Sequence, residues 1–403
     1  MRIAIASLLL VCACDVYGPV LLVSGDGGGD GAVEACTPNC GSQCVDLATD
    51  PNHCGACGVT CENGCAGGLC TPTVLASGLT GPHGLAIDGS ELYVANHGSI
   101  TIQSLSKLDG TGLKNFAVSQ LFPDRFATNA TTLFWTANAN VSADPGGSIN
   151  FETFAQTFCA APSYTFCYLA HNLPSPYGIA VQGDTIFVTT TASTNNGPSG
   201  CAGAWTSSVL TCSASSGCAS ANCAMSGGPG VIAQGQTALA GIAADAQNVY
   251  WADSGAHVVR FCPQPTCAGG PKTFAQIAGT PFDVVSDGKT VYFTDRTGGN
   301  LYACPASGCG SSPTVLASGL ADPVLVAVDG AAAYVTEYAG GAAGKGAVAR
   351  CDLPSCSGGP ARVAANLKAP YGIVLDADYV YWTEEGSSGE ASTDGSVSKV
   401  RRN

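Results

Sequence analysis

Charge is scarce in this chain, and positive charge is the scarcer kind. Only 11% of the 403 residues are charged, and 15 Lys and Arg face 29 Asp and Glu, for a formal net charge of −14. A phosphate backbone or an anionic lipid surface would be repelled over most of such a surface, which argues against nucleic acid as a partner. Long apolar runs are missing too. The longest begins at Ile3 and ends at Val11, well short of the ~20 residues that a permanent membrane-spanning helix needs. No extended stretch has the period of an amphipathic helix, and no nucleophile motif, phosphate-binding glycine loop or His-rich zinc pattern is present.

What the chain does have is glycine, 53 residues of it, and short runs of Val, Ile, Thr and Tyr punctuated by Gly, Pro, Asn and Asp. That is the composition of many short strands joined by tight turns, and it predicts an all-β protein. The octapeptide PTVLASGL occurs at Pro72–Leu79 and again at Pro313–Leu320, 241 residues on. The surrounding sequence repeats in the same phase. An aromatic strand motif recurs as LYVAN, LFWTA, IFVTT, VYWAD, VYFTD, AYVTE and VYWTE, with its aromatic at Tyr93, Phe134, Phe187, Tyr250, Tyr292, Tyr334 and Tyr381. Successive spacings are 41, 53, 63, 42, 42 and 47 residues, the period of a propeller blade with insertions in the longer units.

Each unit reads as four strands, A to D, with the aromatic on strand B. The chain ends in GSVSKVRRN, a C strand with no D strand after it, while the repeats begin with PTVLASGL, a D strand with nothing before it. The first octapeptide is therefore expected to complete the last blade, closing the ring and removing an open edge. The expectation is a seven-bladed β-propeller over residues 72–403, closed by an N-terminal outer strand. VYWAD, VYFTD and VYWTE resemble the YWTD and NHL propeller families, which mostly bind proteins or other large ligands. The resemblance implies recognition without naming a target.

Ahead of the repeats, Arg2, the apolar run and Val11-Cys12-Ala13-Cys14 follow the order of a signal peptide over residues 1–14. Its end resembles a bacterial lipobox, which implies lipidation of Cys14 and a cell-surface or outer-membrane lipoprotein, with plain secretion as the alternative. Residues 15–35 have the Gly/Asp composition of a flexible tether.

Of the 22 cysteines, eight fall within Cys36–Cys70 and twelve from Cys159 onward. In an exported chain, disulfides are the expectation for both groups. CVDLATDPNHCGACGVTC resembles the cysteine-rich module of the stigma-specific protein family, which implies an extracellular disulfide module over residues 36–70 with no enzymatic role. Eight cysteines allow 105 pairings, and sequence does not choose among them. A redox pair at Cys54 and Cys57 and a zinc site near His53 are weighed and set below structural disulfides. Cys262 with Cys267, Cys304 with Cys309 and Cys351 with Cys356 recur just after strand C, so local pairing is expected; Cys159 is paired with Cys167. Cys201, Cys212, Cys218 and Cys223 pair among themselves in an unfixed order.

Aligned on the strand-B aromatic, two rings of side chains face one end of the channel. The first is His83, Asp124, Tyr177, Ala240, Phe282, Val324 and Tyr371; the second is Asn96, Ala137, Thr190, Asp253, Asp295, Glu337 and Glu384. Four consecutive acids, Asp253, Asp295, Glu337 and Glu384, would suit Ca²⁺ if they converged, but hydrogen bonding to nearby backbone in each blade is the preferred reading. The Pro-His-Gly of the first unit also resembles streptogramin lyases, seven-bladed enzymes that use His, Glu and Mg²⁺. The blade that carries His83 ends strand B in Asn96 and the blade with Glu384 begins in Tyr371, so the match fails residue by residue and His83 is read as a mouth or packing residue.

Long B–C loops at 138–147, 190–206, 338–345 and 385–394 share that face, where recognition is usual. The expected function is a surface-tethered or secreted monomer that binds a protein or polysaccharide through this face, with no cofactor. Trp205, Tyr338, His83, Tyr177 and Tyr371 are the candidate contacts. The alternative is a lyase or lactonase-type enzyme using the channel mouth with Ca²⁺ or Mg²⁺.

Overall fold

The computed structural model describes residues 39–41, 43–138, 147–154, 167–191, 206–215, 230–264 and 267–402. Seven four-stranded antiparallel sheets are arranged as blades, and their first strands pack against one another in a ring. Blade 1 runs outward through Pro82–Asp88, Glu91–Asn96, Thr101–Ser106 and Lys114–Ala117. The inner A strands of blades 2 to 7 are Pro123–Thr128, Pro176–Gln182, Leu239–Ala244, Pro281–Ser286, Pro323–Val328 and Pro370–Leu375. Among the described residues no helix is long and apolar enough to cross a membrane.

Blade 7 is built from both ends of the repeat region. Its A, B and C strands are Pro370–Leu375, Tyr379–Glu384 and Gly395–Arg401, and its outer strand is Thr73–Leu79. In that pairing Gly395 faces Leu79 and Lys399 faces Thr73. The ring closes where the repeat phase placed the closure, and the outer edge of the last C strand is covered.

Three local interactions explain the repeat motif. At the A–B turns, the Oδ1 atoms of Asp245, Asp287, Asp329 and Asp376 each accept hydrogen bonds from the backbone N–H groups two and three residues on. These are Asx turns, in which a short acid substitutes for a backbone carbonyl. The strand-B tyrosines of blades 5 and 7 then donate to the second oxygen of the same acid, Tyr292 to Asp287 and Tyr381 to Asp376. The aromatic thus fills the space between blades and also fixes its own turn.

Two residues after that aromatic, threonine ties neighbouring blades together. Thr136, Thr189, Thr294, Thr336 and Thr383 donate to the carbonyls of Tyr177, Ala240, Val324, Tyr371 and His83, each on the next blade's A strand. The same hydroxyls accept from their own A strand, as at Gly178, Asp283 and Gly372. The glycine of the Pro-x-Gly motif answers to this close approach: a Cβ at Gly372 would lie 2.0 Å from the His83 carbonyl oxygen, and one at Gly84 2.3 Å from that of Asp124.

The hydrophobic core is divided among the blade interfaces. Between blades 4 and 5, for instance, Tyr250, Phe274, Val291 and Phe293 are buried together with Cys304, and full burial of each such side chain contributes roughly 1.5–3 kcal/mol. Disulfides join Cys262 to Cys267, Cys304 to Cys309 and Cys351 to Cys356. The loop that Cys304–Cys309 closes leads into Gly310, which pairs with the outer strand of the preceding blade: Gly310 N–H donates to the Phe274 carbonyl and Gln276 N–H to that of Gly310. Cys159 and its expected partnership with Cys167 lie outside the described residues.

The cysteine-rich module is held by Cys40–Cys57, Cys54–Cys65 and Cys61–Cys70, and Cys44 is disulfide-bonded as well. Cys54 and Cys57 therefore pair elsewhere rather than with each other, and the sulfurs beside His53, those of Cys40 and Cys57, are joined to one another. The module rests on the closing seam. Glu62 accepts from the Tyr379 hydroxyl and faces Arg401, Asn63 donates to Thr73, and Cys70 packs against the core between blades 6 and 7.

Candidate functional site

The A strands start, and the B–C loops turn, at one end of the propeller axis, so the first residue ring converges there. His83 sits at its centre and is only 3% exposed. Its Nδ1 lies 3.2 Å from Asp124 of blade 2 and its Nε2 lies 3.1 Å from Glu385 in the B–C loop of blade 7. Both ring faces are covered, by His97 on one contact and Tyr371 on the other, each with centroids 4.5 Å away.

The electrostatics follow from this enclosure. Burial works against a charged imidazole, but the flanking Asp124 and Glu385 carboxylates outweigh it and push the His83 pKa up to about 9. Asp124 is buried as well, which would raise its pKa, yet the bond to His83 holds the carboxyl below the usual range. His97 goes the other way: burial, with the positive His83 against its ring, lowers its pKa and leaves a neutral imidazole at neutral pH.

A second group lies beside the first. Tyr177 and Tyr371 share a 2.6 Å hydroxyl–hydroxyl hydrogen bond, and Arg125 Nη2 donates to Tyr177 at 2.7 Å. The Arg125 guanidinium stands over the Tyr177, Tyr371 and Phe282 rings at 4.8, 5.5 and 5.9 Å. Burial pushes the Tyr177 hydroxyl up to about 12. It also raises the pKa of Asp283, an effect that the charge of Arg125 partly offsets.

Over this platform opens a cavity of about 640 Å³, lined from blades 2 to 6 by residues that include Asn138, Tyr177, Leu239, Phe282, Arg296 and Asp322. Arg296 lies over the Phe282 ring at 4.7 Å and is held by a two-pronged ion pair to Asp322, at 2.6 and 2.8 Å. His83 is not part of the cavity wall. Tyr177 is the partition, with one side facing the cavity and its hydroxyl in the ionised cluster.

The other candidates fall elsewhere. Tyr338 is half-buried, and its hydroxyl donates to Glu385 at 2.8 Å, so it braces the His83 cluster. Trp205 lies outside the described residues, as do 139–146 and 192–205 of the long loops. The four repeat acids do not share a site; each holds the loop that enters its own blade. Asp253 accepts from Thr237, Asp295 from Thr280 N–H, Glu337 from Ala321 N–H and Glu384 from Lys368 N–H. Asp253 and Glu337 also pair with Arg260 and Arg362.

Sequence reading passed over His97, Arg125, Asp283, Arg296 and Glu385. For two of them a signal existed. Arg125 and Asp283 stand where Gly84, Gly178, Gly241 and Gly372 stand in other blades, and a charged residue in a slot built for glycine is a departure worth reading.

Comparison with known proteins bears on the fold alone. No family model matches the sequence, and no curated protein matches it. Among solved structures the chain is similar to a streptogramin B lyase, at 12% identity and a TM-score of 0.58 over 83% of this chain and 97% of that one. It is similar to virginiamycin B lyase from Staphylococcus aureus at 13% identity and a TM-score of 0.56, over 83% and 99%. A chain of the nidogen/laminin complex matches at 20% identity with a TM-score of 0.41, over 57% and 77%. The two lyase structures agree with the overall fold and carry nothing beyond it.

Proposed function

We propose that the protein is a binding protein of the cell exterior that takes a protein or glycan ligand at the axial mouth of its propeller. The observation that carries this is the cavity of about 640 Å³ beside a histidine withdrawn from chemistry. A cavity of this size suits a specific ligand. A general base must reach the proton it abstracts, whereas His83 is buried, flanked by two carboxylates and charged at neutral pH. The many disulfides agree with export, and on this reading Cys14 carries the lipid that tethers the chain.

No metal takes part in this proposal. The described mouth residues whose ligand atoms come within 4.8 Å of one another are His83, His97 and Asp124. Two imidazoles, one of them a cation, with a single carboxylate do not suit a hard cation such as Mg²⁺ or Ca²⁺, which takes several oxygen ligands. Turnover at the same mouth is the second reading, and one observation favours it: His97 is a neutral imidazole whose Nε2 lies 3.6 Å from the exposed Glu390.

The binding reading is tested on glycan and peptide arrays probed with the full chain and with Thr297→Trp, which places a bulky ring on the exposed rim of the cavity. Signal lost in the variant supports the mouth as the site. Equal signal from both proteins would move the site elsewhere.

A further inference from the structure

We propose that the cavity is a carbohydrate subsite that takes an uncharged pyranose ring, seated with its C–H face on the wall of Leu239, Ala238 and Ala240 beside Phe282 and its hydroxyls toward the rim. This rests on the reading of the mouth as a binding site and names the ligand class.

Charge is the first consideration. Among the described residues the one guanidinium in the cavity wall, Arg296, already has both prongs on Asp322, so none of them offers an uncompensated cation to an anionic ligand. The chain as a whole, at −14, repels one. An uncharged ligand meets neither obstacle.

The pattern of hydrogen bonding is the second. The wall carries five aliphatic hydroxyls, at Ser175, Thr191, Ser254, Thr280 and Thr297, besides the Tyr177 phenol that is engaged with Arg125 and Tyr371. Three have their protons committed to the protein: Ser254 donates to the Pro281 carbonyl, Thr191 to that of Ser175, and Thr297 to the Thr280 hydroxyl. A hydroxyl whose proton is committed retains lone pairs, so these groups present acceptors. Three acceptors on the wall, beside the Ser175 and Thr280 hydroxyls, suit a ligand that brings hydroxyl donors of its own.

Shape is the third. The same cavity holds an apolar patch of Phe282, Leu239, Ala238 and Ala240, so a ligand must offer one apolar face and a periphery of hydroxyls. A pyranose does both. The volume of about 640 Å³ leaves room for more than a single ring, as for the end of a glycan chain.

The test is saturation-transfer NMR of the full chain with uncharged methyl glucoside, galactoside, mannoside and N-acetylglucosaminide, and separately with uncharged acetylated tripeptide amides. The expected result is transfer to the ring C–H protons of at least one pyranoside, reduced about tenfold or more in Phe282→Leu and in Thr297→Trp while both variants melt cooperatively. Transfer to the tripeptides alone, lost in Thr297→Trp, would overturn the carbohydrate assignment and leave the mouth as a binding site. Transfer to neither class would overturn both. Pyranoside transfer unchanged in both variants would place sugar binding outside the cavity and overturn the assignment.

Discussion

Thr383 donates a 2.8 Å hydrogen bond to the backbone carbonyl of His83, joining the last blade to the first across 300 residues of sequence. The same hydroxyl accepts from Gly372 N–H at 2.7 Å. Two buried backbone groups at the closing seam therefore depend on one side chain. Thr383→Val keeps the shape and removes both bonds, and is expected to cost about 1–3 kcal/mol, lowering Tm by a few degrees. Thr383→Ser should stay close to the parent in thermal denaturation. Equal melting of Thr383→Val and the parent would mean that the tie contributes nothing.

The His83 cluster predicts a pH dependence of stability. Its folded pKa of about 9 lies above the ordinary value of 6.5, so the folded chain holds this proton more tightly than the unfolded chain does. The resulting stabilisation is complete below pH 6.5, declines as the pH rises, and is lost by about 9. Denaturant unfolding from pH 6 to 9.5 should show a fall on the order of 3 kcal/mol from this group, and His83→Gln should flatten that slope. An unchanged slope in the variant would remove His83 as its source.

The covered edge of blade 7 gives a third expectation. Deleting Thr73–Leu79 removes the strand that pairs with Gly395–Arg401 and exposes a long edge, which should lower Tm sharply and promote aggregation. Light scattering and melting read both effects. Unchanged melting would mean that the ring does not close there.

How far the sequence could be read depended on whether a feature belonged to the repeat. The seven aromatic positions, the split seventh blade and the mouth ring of His83, Tyr177 and Tyr371 all follow from a period, and a period survives in one dimension. The Thr383 tie and the need for glycine at Gly372 are also periodic, but they take their meaning from the neighbouring blade's carbonyl, which no spacing displays. Glu385 was legible only as the second acid of VYWTEE. Its approach to His83, from 302 positions away in sequence, is set by ring closure. Tyr338 looked like free aromatic surface on a long loop, whereas its hydroxyl is bonded to Glu385.

The disulfide loops lead to a fourth prediction. Replacing Cys304 and Cys309 together by Ala should destabilise by ~2 kcal/mol through loop entropy. It should also speed hydrogen exchange at Gln276 and Gly310, whose amides pair across the neighbouring blade edge. If exchange at those amides stayed unchanged while stability fell, the staple would act only on its own loop.

The central claim is that the mouth binds its ligand without chemistry at His83, and paired binding and turnover measurements on two variants test it most directly. For the ligand identified on the arrays, Phe282→Ala should weaken affinity by about 10–30-fold, while His83→Gln should stay within a few-fold, because His83 does not line the cavity. Neither variant nor parent should turn over lactone substrates in the presence of Mg²⁺ or Ca²⁺. Metal-dependent turnover by the parent that falls 10²-fold or more in His83→Gln, with ligand affinity retained, would contradict the account.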